Sequence, residues 1–149
     1  MNPCRRILLV EDDNVLRRVN TEVLLDSGYS VDAAGDGAVA WAALQLFEYD
    51  LLITDYNLPN VSGVNLLQNL YAAGMDLPVI MMSGTLPTAE LNRYPWLKIE
   101  SALRKPHSPA EFLAIVRNVL HSKDSTREQL APPPNWPHEV KPEINRIQP

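Results

Sequence analysis

Short apolar runs and longer amphipathic stretches alternate along the first 122 residues, and this alternation constrains the fold most strongly. The apolar runs are RILLV (6–10), YSVDA (29–33), LLIT (51–54), PVIMM (78–82) and a weaker SAL (101–103). Runs that are apolar on both faces are typical of a parallel sheet that is covered on both sides. Parallel neighbours are joined by helices in right-handed βαβ units. The pattern therefore predicts an α/β fold, an open, doubly wound, five-stranded parallel sheet with helices on both faces.

The stretches between these runs carry the start and stop signals of helices. Apolar periodicity, helix-forming composition and flanking glycines predict helices over residues 14–26, 38–47, 62–74 and 108–120, with a short one within 86–95. Gly28 supplies the stop for the first, and Pro95 limits the short one because proline cannot continue a helix. Ser108 and Glu111 form a capping box with Pro109 at the first helical position. Each predicted strand is thus followed by a helix.

Length and composition indicate one soluble globular domain. The chain has 149 residues, of which 46% are hydrophobic and 21% charged. Cys4 is the only cysteine, which excludes an internal disulfide and fits a reducing compartment. The apolar run after Arg6 meets acids too soon for a signal peptide, and no run approaches membrane-spanning length. The net charge of −5 without a basic cluster lacks the footprint of nucleic-acid binding. We therefore expect a cytoplasmic domain that binds neither nucleic acid directly nor a membrane.

Residues 123–149 differ from the rest of the chain. Six of the 13 prolines fall among the last 18 residues, three of them consecutively at 132–134. Such a segment holds too little apolar material to offset the entropy lost on ordering. The whole charge excess lies before it, because residues 1–122 hold 9 basic and 14 acidic residues. The sequence therefore predicts a folded domain over 1–122 and a proline-rich, disordered tail over 123–149.

Chemistry-bearing side chains follow four of the predicted strands: Glu11, Asp12 and Asp13 after the first, Asp55 after the third, Ser83 after the fourth and Lys105 after the fifth. In this fold class the carboxyl ends of parallel strands share one edge, and ligands bind there. Crowded carboxylates resist ionising together unless a cation neutralises them, and Mg²⁺ prefers oxygen ligands. The pattern predicts a magnesium site beside Asp55, whose carboxylate is a candidate nucleophile toward phosphorus. Taken singly, each residue also fits a plain role as a cap, a turn residue or a solvated charge.

The motifs LLVEDD, LLITDYNLP, VIMMSG and LRKP resemble the receiver domain of two-component response regulators, over about residues 5–121. The resemblance, to a single-domain receiver of the chemotaxis-regulator kind, implies a flavodoxin-like fold with strand order 2-1-3-4-5. It implies that Asp55 accepts a phosphoryl group from a histidine kinase or histidine phosphotransfer protein and signals to a downstream protein. The implied ligands of Mg²⁺ are Asp12 (partly through water), Asp13, Asp55 and the backbone carbonyl of Asn57. Ser83 is the implied switch hydroxyl, and Lys105 the phosphate-pairing lysine, with a cis bond to Pro106.

One position departs from this family's pattern. Ala102 stands where the fifth strand usually carries a switch tyrosine or phenylalanine, so the chain must signal through backbone shifts or through another residue. A degenerate receiver that acts as a phosphorylation-independent adaptor is the alternative, and the intact acidic set argues against it. An aspartate-nucleophile phosphatase is disfavoured, because Asn57 stands where that chemistry needs a general acid. We therefore expect a signalling module whose catalysis is limited to its own phosphorylation and dephosphorylation.

Overall fold

The computed structural model describes residues 4–85, 92–93 and 99–130, without the side chains of 123–130. In chain order the elements are β1 (Arg6–Val10), α1 (Asn14–Asp26), β2 (Ser30–Ala34), α2 (Gly37–Leu46), β3 (Leu51–Asp55), α3 (Gly63–Ala72), β4 (Val79–Ser83), β5 (Ser101–Arg104) and α4 (Pro109–Leu130). The short helix predicted within 86–95 falls outside the described residues, apart from positions 92 and 93. The strands and the other predicted helices are present.

The five strands form one parallel sheet in the order β2-β1-β3-β4-β5, which confirms the predicted fold class. The register aligns the carboxyl ends of the strands along one edge. Val10 pairs with Thr54, Asp55 pairs with Met82, and Ser83 pairs with Arg104. The residues that follow β1, β3, β4 and β5 are therefore neighbours at this edge, and the sheet holds them on a rigid frame.

Two apolar layers enclose the sheet, and every residue of the central strands β3 and β4 is therefore buried. On one side, α1 and α4 pack onto the sheet through Leu24, Phe112, Val116, Val119 and Leu120. On the other side, α2 and α3 pack through Ala40, Leu44, Leu66, Leu67 and Leu70. Alternate residues of β1, β3 and β4 enter the two layers, as expected for strands buried on both faces. The site edge is thus fixed by a core on each side.

The helices begin at the side-chain caps that their sequences favour. Asp13, Asp36 and Ser62 each accept hydrogen bonds from backbone amides in the first turn of α1, α2 and α3, respectively. The predicted capping box opens α4, since Ser108 and Glu111 each accept a hydrogen bond from the other's backbone amide at 3.1 Å.

The end of α4 differs from the prediction. The helix continues to Leu130 instead of stopping near Leu120, so residues 123–130 of the predicted tail are helical. The physical reason is that residues 121–130 contain neither glycine nor proline and include several good helix formers, whereas Pro132 to Pro134 follow shortly after. Residues 131–149 lie outside the described residues. No helix in the described part of the chain has the length and apolarity of a bilayer-spanning segment.

Candidate functional site

Asp55 lies at the end of β3 with its side chain almost completely buried. The residue is 3% exposed, and neither carboxylate oxygen has a hydrogen-bond partner among the described residues. Backbone contacts fix the turn that follows, since the Tyr56 amide donates to the Met82 carbonyl and the Gly63 amide donates to the Tyr56 carbonyl, both at 2.9 Å. A side chain at Gly63 would come within 2.3 Å of the Asp55 carbonyl oxygen. The strand and this close turn therefore hold the carboxylate at the sheet edge.

Lys105 links Asp55 to a second buried carboxylate, that of Glu11. Its Nζ lies 2.7 Å from Glu11 Oε1, in a hydrogen-bonded ion pair, and 2.7 Å from Asp55 Oδ1, at ion-pair distance but without hydrogen-bond angles. The lysine is positioned by its own backbone, because its amide donates to the Ser83 carbonyl at 2.9 Å. The bond between Lys105 and Pro106 is cis, as the resemblance implies. One cation thus faces two carboxylates.

Three acids converge at the edge: carboxylate oxygens of Glu11, Asp12 and Asp55 all lie within 4.8 Å of one another. Glu11 is buried and Asp12 is exposed, so the cluster has a solvent-facing side.

The fourth acid, Asp13, is placed differently from the expectation. Its Oδ1 accepts hydrogen bonds from the amides of Val15 and Leu16, at 2.9 and 3.0 Å, as the cap of α1. The acidic pair after β1 that meets Asp55 is thus Glu11 and Asp12, whereas the resemblance implied Asp12 and Asp13. Two signals pointed to this arrangement: Glu11 directly follows the strand, and aspartate is preferred immediately before a helix.

Their surroundings shift the pKa values of the two buried carboxyls, Asp55 and Glu11, in opposite directions. Burial and the neighbouring Glu11 carboxylate together raise the pKa of Asp55 to about 8, against the opposing effect of Lys105. Burial also works to raise the pKa of Glu11, but its contacts with the Asp55 side chain, the Lys105 ammonium and the Asp13 amide outweigh this effect and lower that pKa. Burial lowers the pKa of Lys105, yet its two carboxylate partners raise it overall. Near neutral pH the metal-free site therefore holds an ionised Glu11, a protonated Asp55 and a charged lysine.

Ser83 is the last residue of β4, and Asn57 lies in the loop after β3. The Ser83 hydroxyl is buried; it donates to the Thr85 carbonyl oxygen and accepts from the Thr85 amide at 3.2 Å. It is therefore engaged with its own loop. Asn57 is exposed, two residues beyond Asp55 in the loop that leads to α3. Ala102 is exposed on β5.

The loop after Asp55 rests against the start of α2. The Gly37 amide donates to the Pro59 carbonyl at 3.4 Å, and Asn60 Nδ2 donates to Asp36 Oδ2 at 3.2 Å. A Cβ atom at Gly37 would lie 1.9 Å from the Val61 carbonyl oxygen, so the two backbones touch there. The loop after Asp55 is thus held in place by α2 as well as by β3.

The cluster fits a hard divalent cation. Its ligand atoms are all carboxylate oxygens, which Mg²⁺ prefers, and Asp55 offers buried oxygens that lack hydrogen-bond partners among the described residues. An ion would also remove the conflict that keeps Asp55 protonated beside Glu11. Asp12 is exposed, so solvent reaches the cluster from that side.

The chain is similar to known proteins of one family. A model of the response regulator receiver domain matches residues 7–117. The response regulator RppA of Synechocystis is 42% identical over 129 residues, which cover 84% of this chain and 54% of that protein. Protein RcaC of Microchaete diplosiphon is 35% identical over 115 residues, covering 77% of this chain and 18% of that protein. The chain therefore spans only about half, or less, of these two relatives.

Solved receiver structures share the fold. The chemotaxis response regulator CheY4 of Vibrio cholerae superposes with a TM-score of 0.73 at 24% identity, over 78% of this chain and 99% of that chain. With most of its length matched by the family model and its sheet order shared with these structures, the chain belongs to the response regulator receiver domains, whose function is phosphorylation-dependent signalling.

Proposed function

We propose that Asp55 accepts a phosphoryl group from the phosphohistidine of a histidine kinase or histidine phosphotransfer protein. The observation that carries this proposal is the buried Asp55 carboxyl at a strand end, facing Lys105 and two further acids. The phosphorylated domain then signals to a downstream protein through a changed surface. Incubation with acetyl phosphate and Mg²⁺, followed by intact mass measurement, tests the assignment.

The transfer uses the residues of the site as follows. An ionised Asp55 oxygen forms a bond to phosphorus while the bond between phosphorus and the histidine nitrogen breaks, and the histidine leaves with that electron pair and takes up a proton. Lys105, already 2.7 Å from Asp55 Oδ1, pairs with the phosphoryl oxygens. The Ser83 hydroxyl releases the Thr85 carbonyl and donates to a phosphoryl oxygen instead. Hydrolysis of the resulting acyl phosphate at the same site is the only other reaction that we propose.

We propose that Glu11, Asp12, Asp55 and the backbone carbonyl of Asn57 hold Mg²⁺, with Glu11 in the place expected for Asp13, which caps α1. When bound, the ion neutralises the carboxylates, favours the ionised form of Asp55 and offers a coordination position to a phosphoryl oxygen.

Magnesium is expected to raise the melting temperature of the domain at millimolar concentration, because the ion binds only the folded arrangement of acids. Asp12→Asn should remove most of this increase. Asp13→Asn should preserve it, because asparagine caps a helix about as well as aspartate does. Thermal unfolding of the three proteins with and without Mg²⁺ measures the difference. The reverse ranking would return Asp13 to the ligand set, and a wild type that is indifferent to Mg²⁺ would contradict the metal site itself.

The surface of α1 next to the site suits the phosphodonor. Val15, Leu16 and Val19 are exposed on the first turns of this helix, directly after the acid cluster. Exposed aliphatic side chains at helical spacing mark a surface for a partner helix. We propose that the donor protein docks here and brings its phosphohistidine to Asp55.

Phosphorylation is expected to act mainly on the loop after β4. The Ser83 hydroxyl must leave Thr85, whereas Ala102 has no side chain to rotate. Beryllofluoride, which mimics the phosphoryl group, should therefore produce its largest backbone amide NMR shifts between Ser83 and Arg93, with smaller ones over residues 101–103. Asp55→Asn, which lacks the oxygen that binds beryllofluoride, serves as the control without shifts. Large shifts confined to β5 and α4 would show that another residue has taken the role of the missing aromatic.

The remaining assignments are inferred from charge and composition. We infer a cytoplasmic domain that contacts neither nucleic acid nor a membrane itself, because its net charge is −5 and its site edge is acidic. Relatives with transcriptional-regulator names, such as SilR of Salmonella typhimurium, are longer proteins of which this chain covers 50%. A phosphorylation-independent adaptor is the alternative function, and the complete acid–lysine cluster speaks against it.

A further inference from the structure

The loop that follows Asp55 contains a strained backbone turn at Asn60. The φ angle of Asn60 is 69°, and among the described residues no other residue except glycine has a positive φ. The Val61 amide donates to the Pro59 carbonyl, two residues earlier, at 2.8 Å. Such a hydrogen bond around a residue with positive φ is that of the rare, strained form of γ-turn. Asparagine tolerates this region better than most residues, but strain of this kind persists only where the surroundings enforce it.

The start of α2 supplies that constraint. Asp36 divides its carboxylate between two structures: Oδ1 accepts from the Val39 amide at 2.8 Å as the cap of α2, and Oδ2 accepts from Asn60 Nδ2 at 3.2 Å. The Pro59 carbonyl accepts from the Gly37 amide at 3.4 Å as well as from within the turn. The cap and the first residue of α2 therefore each hold the turn by one hydrogen bond. The side-chain contact between Asp36 and Asn60 is called the Asp36–Asn60 bridge below.

The residue that depends on this turn is Asn57, whose backbone carbonyl is a proposed ligand of Mg²⁺. Before it, the backbone is fixed at Tyr56, whose amide donates to Met82 and whose carbonyl accepts from Gly63, both at 2.9 Å. No hydrogen bond from the described part of the chain holds Asn57 itself. Its carbonyl is therefore positioned by the fixed points on either side, Tyr56 before it and the turn at Asn60 after it.

We propose that Asp36 and Asn60 are positioning residues for the metal site: their bridge holds the strained turn, and the turn holds the Asn57 carbonyl in place for the ion. A loop that is already ordered loses less entropy on binding, so the bridge raises the affinity for Mg²⁺. The inference rests on the proposed metal site, and it adds two residues that lie outside the cluster of acids around Asp55.

Asn60→Gly separates positioning from stability. Glycine adopts a positive φ without strain but cannot form the bridge, and the relieved strain offsets its larger entropy in the unfolded chain. The melting temperature without Mg²⁺ should therefore not fall. The dissociation constant of Mg²⁺, measured from backbone amide NMR shifts during a titration, should rise about threefold, as expected for the loss of one hydrogen bond. An unchanged affinity would overturn the proposal, and a lower melting temperature beside it would give Asn60 a structural role only.

Asp36→Ser tests the other end of the bridge. Serine caps a helix about as well as aspartate does, but its single side-chain oxygen serves the cap and leaves Asn60 without its acceptor. Serine also removes a negative charge, which weakens Mg²⁺ binding on its own.

The double variant, Asp36→Ser with Asn60→Gly, separates the lost charge from the lost bridge. Its dissociation constant should equal that of Asp36→Ser alone, because the bridge can be removed only once. If Asn60→Gly weakens binding as much in the Asp36→Ser background as in the wild type, the two residues act independently and the bridge is overturned.

The wild-type titration distinguishes the failure of this inference from the failure of the metal site. A wild-type chain without Mg²⁺-dependent shifts would contradict the proposed metal site and, with it, the positioning roles. A wild type that binds Mg²⁺, together with variants of equal affinity, would overturn the roles of Asp36 and Asn60 alone and leave the acid cluster as the metal site.

Discussion

Asp55→Asn is expected to abolish phosphorylation completely. Acetyl phosphate with Mg²⁺ should add one base-labile phosphoryl group to the wild-type chain, visible as a single mass increase, and none to the variant. The physical reason is that an amide oxygen is a poor nucleophile and cannot form an acyl phosphate, while the rest of the site stays in place. The effect is the loss of the entire reaction rather than a change in its rate.

Asp76→Asn provides the matched control for this experiment. Asp76 is an exposed aspartate in the loop between α3 and β4, so its replacement should leave labelling at the wild-type level. Peptide mapping after borohydride trapping locates the modified residue. Strong labelling of Asp55→Asn, or equal loss with Asp76→Asn, would contradict Asp55 as the acceptor.

Asp55→Asn should be more stable than the wild type in metal-free buffer. The folded state raises the pKa of Asp55 from 3.8 to about 8, so the folded chain keeps a proton that the unfolded chain releases between these values. Asp55 therefore contributes fully to the free energy of unfolding below pH 3.8, and this stabilising contribution is lost as the pH rises to about 8. The advantage of Asp55→Asn should therefore be small near pH 4 and largest above pH 8. Magnesium should reverse the ranking, since it stabilises the wild type alone.

Lys105→Met is expected to lower the free energy of unfolding by about 3 kcal/mol at neutral pH without Mg²⁺. The side chain of Glu11 is 0% exposed, and Lys105 lies 2.7 Å from it. Removing the cation leaves an ionised, buried carboxylate without its partner, and this is costlier than losing a surface pair. For a domain of this size the melting temperature should fall by roughly 10 °C. Thermal and urea unfolding measure both quantities.

Arg104→Met is the control for Lys105→Met, since Arg104 is the exposed neighbour on β5. It should change stability little. The deficit of Lys105→Met should shrink as the pH falls and Glu11 becomes protonated, because a neutral carboxyl no longer needs a cation. A deficit that is equal at pH 3 and pH 7 would indicate lost packing instead of a lost ion pair.

Much of the fold follows from the sequence because two-sided burial leaves few alternatives. The runs Ile7–Val10 in β1 and Leu51–Ile53 in β3 are uninterrupted by polar residues, and such runs favour strands inside a parallel sheet. The caps at Ser62 and Ser108 mark helix starts for equally local reasons. The position of Asp55 beside Lys105 follows from strand order, which the resemblance supplied and the structure confirms.

What could not be predicted depends on competition between neighbours. Three consecutive acids, Glu11, Asp12 and Asp13, are chemically similar, and one residue of register decides which reach the site and which caps a helix. The residue at which α1 begins determines which acid caps the helix and which acids reach the site. The end of α4 was equally undetermined, because polar helix formers without glycine or proline continue a helix or leave it with little difference in free energy.

The close contact between the Gly37 backbone and the Val61 carbonyl limits how the loop after Asp55 can move. The loop that follows Asp55 already touches the backbone of α2 at Gly37. Because glycine has no side chain, no rotamer change can make room there. Displacement of the loop further towards α2 is therefore blocked at this point. Any movement of the loop that starts at Asp55 would have to lead away from α2, pass alongside it or carry it along.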